Sequence, residues 1–166
     1  MAITNFTYNV KWLDFTEING RKAGIHEDAQ IKTITTKFKP SFTKPDAGWE
    51  VKDIEVELAV SKNNSWVVKG KQTAVLLNHE QGHYNIMALG SRDMYRQIKA
   101  LKGKSRQAIM KEAKKIMGTV QTTVDEKDDL YDDQTDHGNI PASQLKWDNN
   151  IRGEMENEKG TLDNLT

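Results

Sequence analysis

An α+β chain, with an antiparallel or mixed sheet in its N-terminal half followed by a long motif-bearing helix and further helices, is predicted by three observations. Up to residue 68 apolar residues mostly alternate with polar ones, the period of half-buried strands. From about Thr73 they fall at three-and-four spacing over roughly 25 residues, the period of a helix. The 166 residues fit one domain, long enough to bury a core without cross-links, and they contain no cysteine.

Each element follows from its own pattern. Phe6, Tyr8, Val10 and Trp12 share one face of residues 6–15, which read as a strand, and Asn19-Gly20 signals a turn. Residues 29–38 look extended, before Pro40, Pro45 and Gly48 break the chain. Trp49–Val60 is the clearest strand; its alternation slips phase between Val51 and Ile54, where a bulge is expected. Asn63-Asn64 is expected to fold it back into a hairpin with Trp66–Val68. The helix from Thr73 carries Val75, Leu76, His79, His83, Ile86, Met87, Gly90, Met94 and Ile98 on one stripe. Ser105 caps a second helix reaching about Val120, with Ala108, Ile109, Ala113, Ile116 and Met117 inward. The acidic stretch DEKDDLYDDQTDHGNIP reads as a loop, and Pro141 opens a short helix with Leu145, Trp147 and Ile151 packing back. Residues 1–155 are expected to form the domain, with residues 156–166 a frayed polar tail.

Composition narrows the function. Twenty-four basic residues balance 24 acidic ones, so no long-range field attracts nucleic acid or an anionic membrane. No window approaches the 18 apolar residues of a membrane span, and MAITNFTYNVKW shows no signal peptide in this chain. Without cysteine, any metal must be held by histidines and carboxylates.

LLNHEQGHYNI, residues 76–86, is the segment that carries chemistry. With 4 His and 11 Glu in the chain, random order gives H-E-x-x-H only about 0.006 times. On a helix, positions four apart lie about 40° apart and about 6 Å along the axis, so the imidazoles of His79 and His83 can share one Zn²⁺. Glu80, turned about 100° from His79, reaches a water beside the ion better than the ion itself, the place of a general base. The bland alternative is a pair of packed histidines, but burying two imidazoles with nothing to bind is costly. Catalytic zinc normally takes a third protein ligand. The positions where a longer motif would supply it hold Ile86 and Leu89. Asp93 points about 80° away, Glu112 sits among lysines, and His26 lies in the polar segment GIHEDAQ, so His137 is left as the strongest candidate. Gly138 after it lets the backbone turn sharply away.

LLNHEQGHYNI, preceded by SWVV and followed about fifty residues later by YDDQTDHG, resembles a family of predicted secreted zinc-dependent proteases grouped as the domain of unknown function DUF922. The resemblance runs from the WLDF segment through the strand pair to the region of the final helix. It implies a zincin-like fold, His79, His83 and His137 as zinc ligands, Glu80 as catalytic acid and base, a peptide or protein substrate, and a secreted or periplasmic location. Tyr131 and Thr135 match the same motif. A phenol near a metal can donate to an oxyanion, which makes Tyr131 a candidate catalytic residue, although it equally suits a core position. Asp132 is placed either to hydrogen-bond a ligating histidine's other nitrogen or to cap the turn. The expected function is a zinc peptidase or amide hydrolase in which Glu80 activates a zinc-bound water. A metal-stabilised, non-catalytic binding or adaptor domain of the cell envelope is the alternative, and the retained Glu80 argues against it.

Overall fold

In the computed structural model, which describes residues 3–21 and 25–166, the elements in chain order are β1 (Ile3–Thr4), β2 (Thr16–Ile18), β3 (Ala29–Gln30), β4 (Thr33–Thr43), β5 (Trp49–Val60), β6 (Trp66–Val68), α1 (Ala74–Lys99), β7 (Lys102–Gly103), α2 (Arg106–Thr135) and α3 (Pro141–Glu156). The fold is α+β, with two mixed sheets in the N-terminal half and three helices after them. Met1, Ala2, Lys22, Ala23 and Gly24, the last of these the first residue of the GIHEDAQ segment, lie outside the described residues.

Trp49–Val60 organises the larger sheet because its alternating Val51, Ile54, Val56 and Leu58 face the core. β4 pairs antiparallel along one edge of β5, while β1 (parallel) and β7 (antiparallel) take the other. The phase slip between Val51 and Ile54 is a real irregularity: Val51 opposes Phe42 and Asp53 opposes Ser41, so Lys52 is the extra residue. β4 does not stop at Pro40. It runs through to Thr43 with Pro40 opposite Ile54, which an edge strand tolerates because proline's missing N–H faces away from the ladder.

The expected hairpin does not form. Both edges of β5 are occupied, and Trp66–Val68 instead centres a second sheet, parallel to β2 and antiparallel to β3. Residues 6–15 are not a strand either. Trp12–Asp14 forms a 3₁₀ turn, in which the Asp14 carboxylate accepts from the Lys11 N–H at 2.8 Å and from the Tyr8 hydroxyl at 3.0 Å. These local bonds compete with sheet pairing, although Val10 and Phe15 still reach the core.

α1 starts at the Thr73 cap, whose side chain accepts from the Leu76 N–H at 3.1 Å. Its buried face includes His79, Ile86, Gly90, Met94 and Ile98, whereas Val75 is mostly exposed. α2 begins at Ser105 as expected but continues to Thr135, so most of the acidic stretch is helical. Val120, Val124, Tyr131 and Thr135 are buried along it at helical spacing, a stripe that the surrounding carboxylates hide in the composition. Ala108 is exposed rather than inward. In α3 Trp147 and Ile151 pack inward, but Leu145 is exposed and Gln144 is buried in its stead.

Beyond α3 the chain does not fray. Leu162 and Leu165 are buried, and the Arg92 guanidinium donates to the carbonyls of Glu154 at 2.6 Å, Gly160 at 2.7 Å and Asn157 at 3.0 Å. Asp93 accepts from the Thr161 hydroxyl at 2.7 Å and the Leu162 N–H at 2.9 Å. Two leucines and a charged pair on α1 therefore tie down a segment whose overall polarity suggested the opposite.

α1 and α2 run antiparallel and touch through glycines: a Cβ on Gly82 would lie 2.3 Å from the Tyr131 hydroxyl oxygen, and one on Gly90 2.4 Å from a Val124 methyl. Gly82→Ala is expected to destabilise the protein by about 1–3 kcal/mol, the usual cost of overpacking, even though alanine is the better helix former by about 1 kcal/mol. Urea denaturation measures this. A variant as stable as wild type would show that the seam has slack.

Candidate metal centre

Four elements converge on one end of α1. α1 supplies His79, Glu80 and His83; α2 supplies Asp128 and Asp132; the turn after α2 supplies His137; and the chain leaving β3 supplies Ile31. They line a cavity of about 260 Å³. Asp128 and Asp132 are four apart on α2, as His79 and His83 are on α1, so the two helices face each other with matched pairs.

His79 Nε2 and His83 Nε2 lie 3.2 Å apart, and Asp132 Oδ1 is 3.0 Å from each. His137 Nδ1 is 3.3 Å from the same oxygen. On the far sides of the rings, His83 Nδ1 meets Asp128 Oδ1 at 2.9 Å and His79 Nδ1 meets Gln144 Oε1 at 3.2 Å. Backing each Nδ1 with an acceptor turns the Nε2 lone pairs inward. His79, Asp132 and His137 each offer a ligand atom within 4.8 Å of the others, and the group can hold a metal ion. Ligands at 2.0–2.1 Å from an ion in a tetrahedron lie about 3.3 Å apart, a spacing compatible with the 3.0–3.2 Å edges of the triangle formed by His79, His83 and Asp132.

Charges are balanced tightly here. Burial lowers the pKa of His79, opposed by the Asp132 carboxylate. Burial would also lower that of His83, but hydrogen bonds and charge from Asp128 and Asp132 outweigh it and hold the ring well above its ordinary value. Burial would raise Asp132, yet the two histidines keep its carboxyl well below the usual range, while burial pushes Asp128 up against the pull of His83. Glu80 is 2 % exposed and burial pushes it up to about 7, against the His83 charge and the Ile31 N–H that donates to its Oε2 at 2.7 Å.

The sequence candidates divide accordingly. His79, Glu80 and His83 come together, and His137 joins them, though its contact is to Asp132 and its other nitrogen faces Glu27 at 3.8 Å. Asp132, considered as a partner for a ligand's far nitrogen or a turn cap, instead occupies the ligand face. Tyr131 does not line the cavity: its ring stacks on His79 with centroids 4.6 Å apart, and its hydroxyl donates to the His79 carbonyl at 3.2 Å. The geometry gives it a packing role behind the ligand. Thr135 donates to the Tyr131 carbonyl at 2.7 Å and accepts from the Gly138 N–H at 3.3 Å, fixing the turn. Asp136, His137 and Gly138 are all left-handed there, and a Cβ on Gly138 would come within 3.1 Å of the His79 Cβ. Glu112 pairs with Lys115, Asp93 holds the C-terminal segment and His26 is exposed, so none of the three is a ligand here. Sequence reasoning missed Asp128 and Gln144. The i, i+4 spacing of Asp128 and Asp132 was the available signal for the first; the second had none, because its contact crosses from α3.

Asp132→Asn is expected to weaken zinc binding more than tenfold, because it removes the one carboxylate charge from the triangle of His79, His83 and Asp132. His137→Ala is expected to weaken it as well, and His26→Ala to leave it unchanged, in a competition titration against a chromophoric chelator. Wild-type affinity in Asp132→Asn would remove that carboxylate from the ligand set.

No curated protein and no solved structure matches this chain. A family model does, over residues 2–138, a span that ends at the Gly138 turn and stops short of α3, whereas the resemblance read from the sequence reached the final helix. The matched span holds both histidines of α1, the α2 carboxylates and His137, and the chain belongs to that family, described as a bacterial protein of unknown function (DUF922).

Proposed function

We propose that the protein is a zinc-dependent peptidase or amide hydrolase. The observation that carries this reading is the position of Glu80: a buried carboxylate on the wall of the cavity that holds the His79 and His83 Nε2 atoms, anchored by one oxygen to the Ile31 N–H. Among the described residues its other oxygen has no hydrogen-bond partner. A purely structural site has no use for a buried carboxylate that is not a ligand.

Three of the four groups His79, His83, Asp132 and His137 would hold the ion and leave a position for water, and the ion when bound supplies Lewis acidity toward a carbonyl and toward that water. Two imidazoles favour a borderline ion such as zinc over calcium or magnesium. Glu80 then does the proton work. Its carboxylate takes a proton from the attacking water and gives it to the leaving amine. Burial raises the Glu80 pKa, which favours its taking up that proton. The Ile31 N–H keeps the carboxylate from rotating away, and Tyr131 and Gln144 hold His79 from behind.

Glu80→Gln is expected to retain zinc and lose hydrolysis of a mixed peptide library by at least a hundredfold, since the amide keeps the size but accepts no proton. Wild-type turnover in that variant would show that Glu80 is not the base. The same variant has a second expected effect without metal. An acid whose folded pKa is raised above its unfolded value costs nothing below about 4.5 and progressively more as pH rises toward 7, here on the order of 3 kcal/mol. Metal-free Glu80→Gln should therefore melt with wild type at pH 4 and above it at pH 8. Equal melting at both would mean that Glu80 is not desolvated in the native protein.

A further inference from the structure

We propose that α3 belongs to the metal centre through Gln144, a positioning residue that determines which nitrogen of His79 is free to hold a cation. This rests on the metal-binding reading of His79 and is independent of whether the protein hydrolyses anything. α3 lies wholly beyond residue 138, where the family match ends.

Gln144 is 5 % exposed, and its Nε2 makes two hydrogen bonds, to the Asp148 carboxylate at 2.7 Å and to the Tyr131 hydroxyl oxygen at 2.6 Å. Asp148 has only lone pairs to offer, and Tyr131 spends its own proton on the His79 carbonyl at 3.2 Å. Both partners therefore accept, and the amide orientation is fixed. A flipped amide would set its oxygen against the Asp148 carboxylate. Oε1 is thus the atom 3.2 Å from His79 Nδ1, so Nδ1 carries the proton and Nε2 presents its lone pair toward Asp132 and His83.

Asp148 is held in turn. Its second oxygen accepts from Asn78 Nδ2 at 2.8 Å, the residue before His79 on α1. Asp148 and Gln144 lie one turn apart on α3, so a single face of that helix reads the register of α1 and transmits it to the ligand. His83 has a carboxylate, Asp128, in the corresponding position. The neutral amide at His79 orients that ring without adding a further charge to the site.

The test compares Gln144→Leu with Gln144→Glu in the full chain. It reads zinc affinity, melting temperature with and without zinc, and the imidazole N–H resonances of the zinc-loaded protein. In Gln144→Leu, zinc affinity should fall about ten- to hundredfold. The zinc-induced rise in melting temperature should shrink, and the slowly exchanging Nδ1–H resonance of His79 should vanish. Gln144→Glu keeps an acceptor on His79 Nδ1 but would set its second oxygen against Asp148, so it is made together with Asp148→Asn, and this double variant should retain affinity closer to wild type. If Gln144→Leu lowers only the metal-free melting temperature and leaves zinc affinity and the resonance intact, Gln144 is a packing residue and the proposal is overturned. Equal losses in both variants overturn it as well. A wild-type chain that binds no zinc refutes the metal-centre reading itself, a result distinct from the other two.

Discussion

The structure depends on how closely α1 and α2 approach at Gly82. Tyr131 lies nearly flat against His79, with 17° between the rings, and it can do so because Gly82 places no Cβ in the path of the phenol. Sliding α2 by one turn, about 5.4 Å, would carry Asp132 and Asp128 past the imidazoles they face. The seam thus sets the register, and the register sets the chemistry. Gly90 against Val124 repeats the close contact two turns further on, so the helices are held at two points rather than pivoting about one.

Bringing two carboxylates and two imidazoles together out of water is expensive unless each charge finds its opposite. Here His79, His83, Asp128 and Asp132 each have at least one partner at 2.9–3.2 Å. The supports are drawn from across the chain: Ile31 after β3, Gln144 on α3, and Thr135 and Gly138 at the end of α2. The C-terminal segment contributes indirectly, because Arg92 and Asp93 on α1 bind it and so brace the far end of the motif helix. Few of these contacts are local in sequence, and a metal centre built this way is coupled to the packing of the whole fold.

Much of this was legible in the sequence, for physical reasons. H-E-x-x-H is informative because helix geometry converts its spacing directly into a shared face, and the Thr73 and Ser105 caps announce themselves by residue type. The strand Trp49–Val60 and its slip at Lys52 were visible because one buried face forces alternation. The errors came where a local rule met a tertiary one. Acidic composition concealed the second half of α2, since Val124, Tyr131 and Thr135 are only a thin stripe among carboxylates. The pairing of Trp66–Val68 was misread because adjacency in sequence says nothing about which strand edges are already occupied. Leu145 is expected inward on hydrophobicity, yet Gln144, with its hydrogen bonds satisfied, is the buried residue there.

We propose that Asp132 and the histidines form one mixed nitrogen and oxygen site for zinc. X-ray absorption at the zinc edge of the loaded protein tests it most directly. The account predicts one zinc per chain in a first shell of low-atomic-number ligands at about 2.0–2.1 Å, with the multiple-scattering pattern of two or three imidazoles and at least one carboxylate oxygen. A shell of oxygen alone, or zinc bound without imidazole scattering, would place the ion elsewhere and contradict the account.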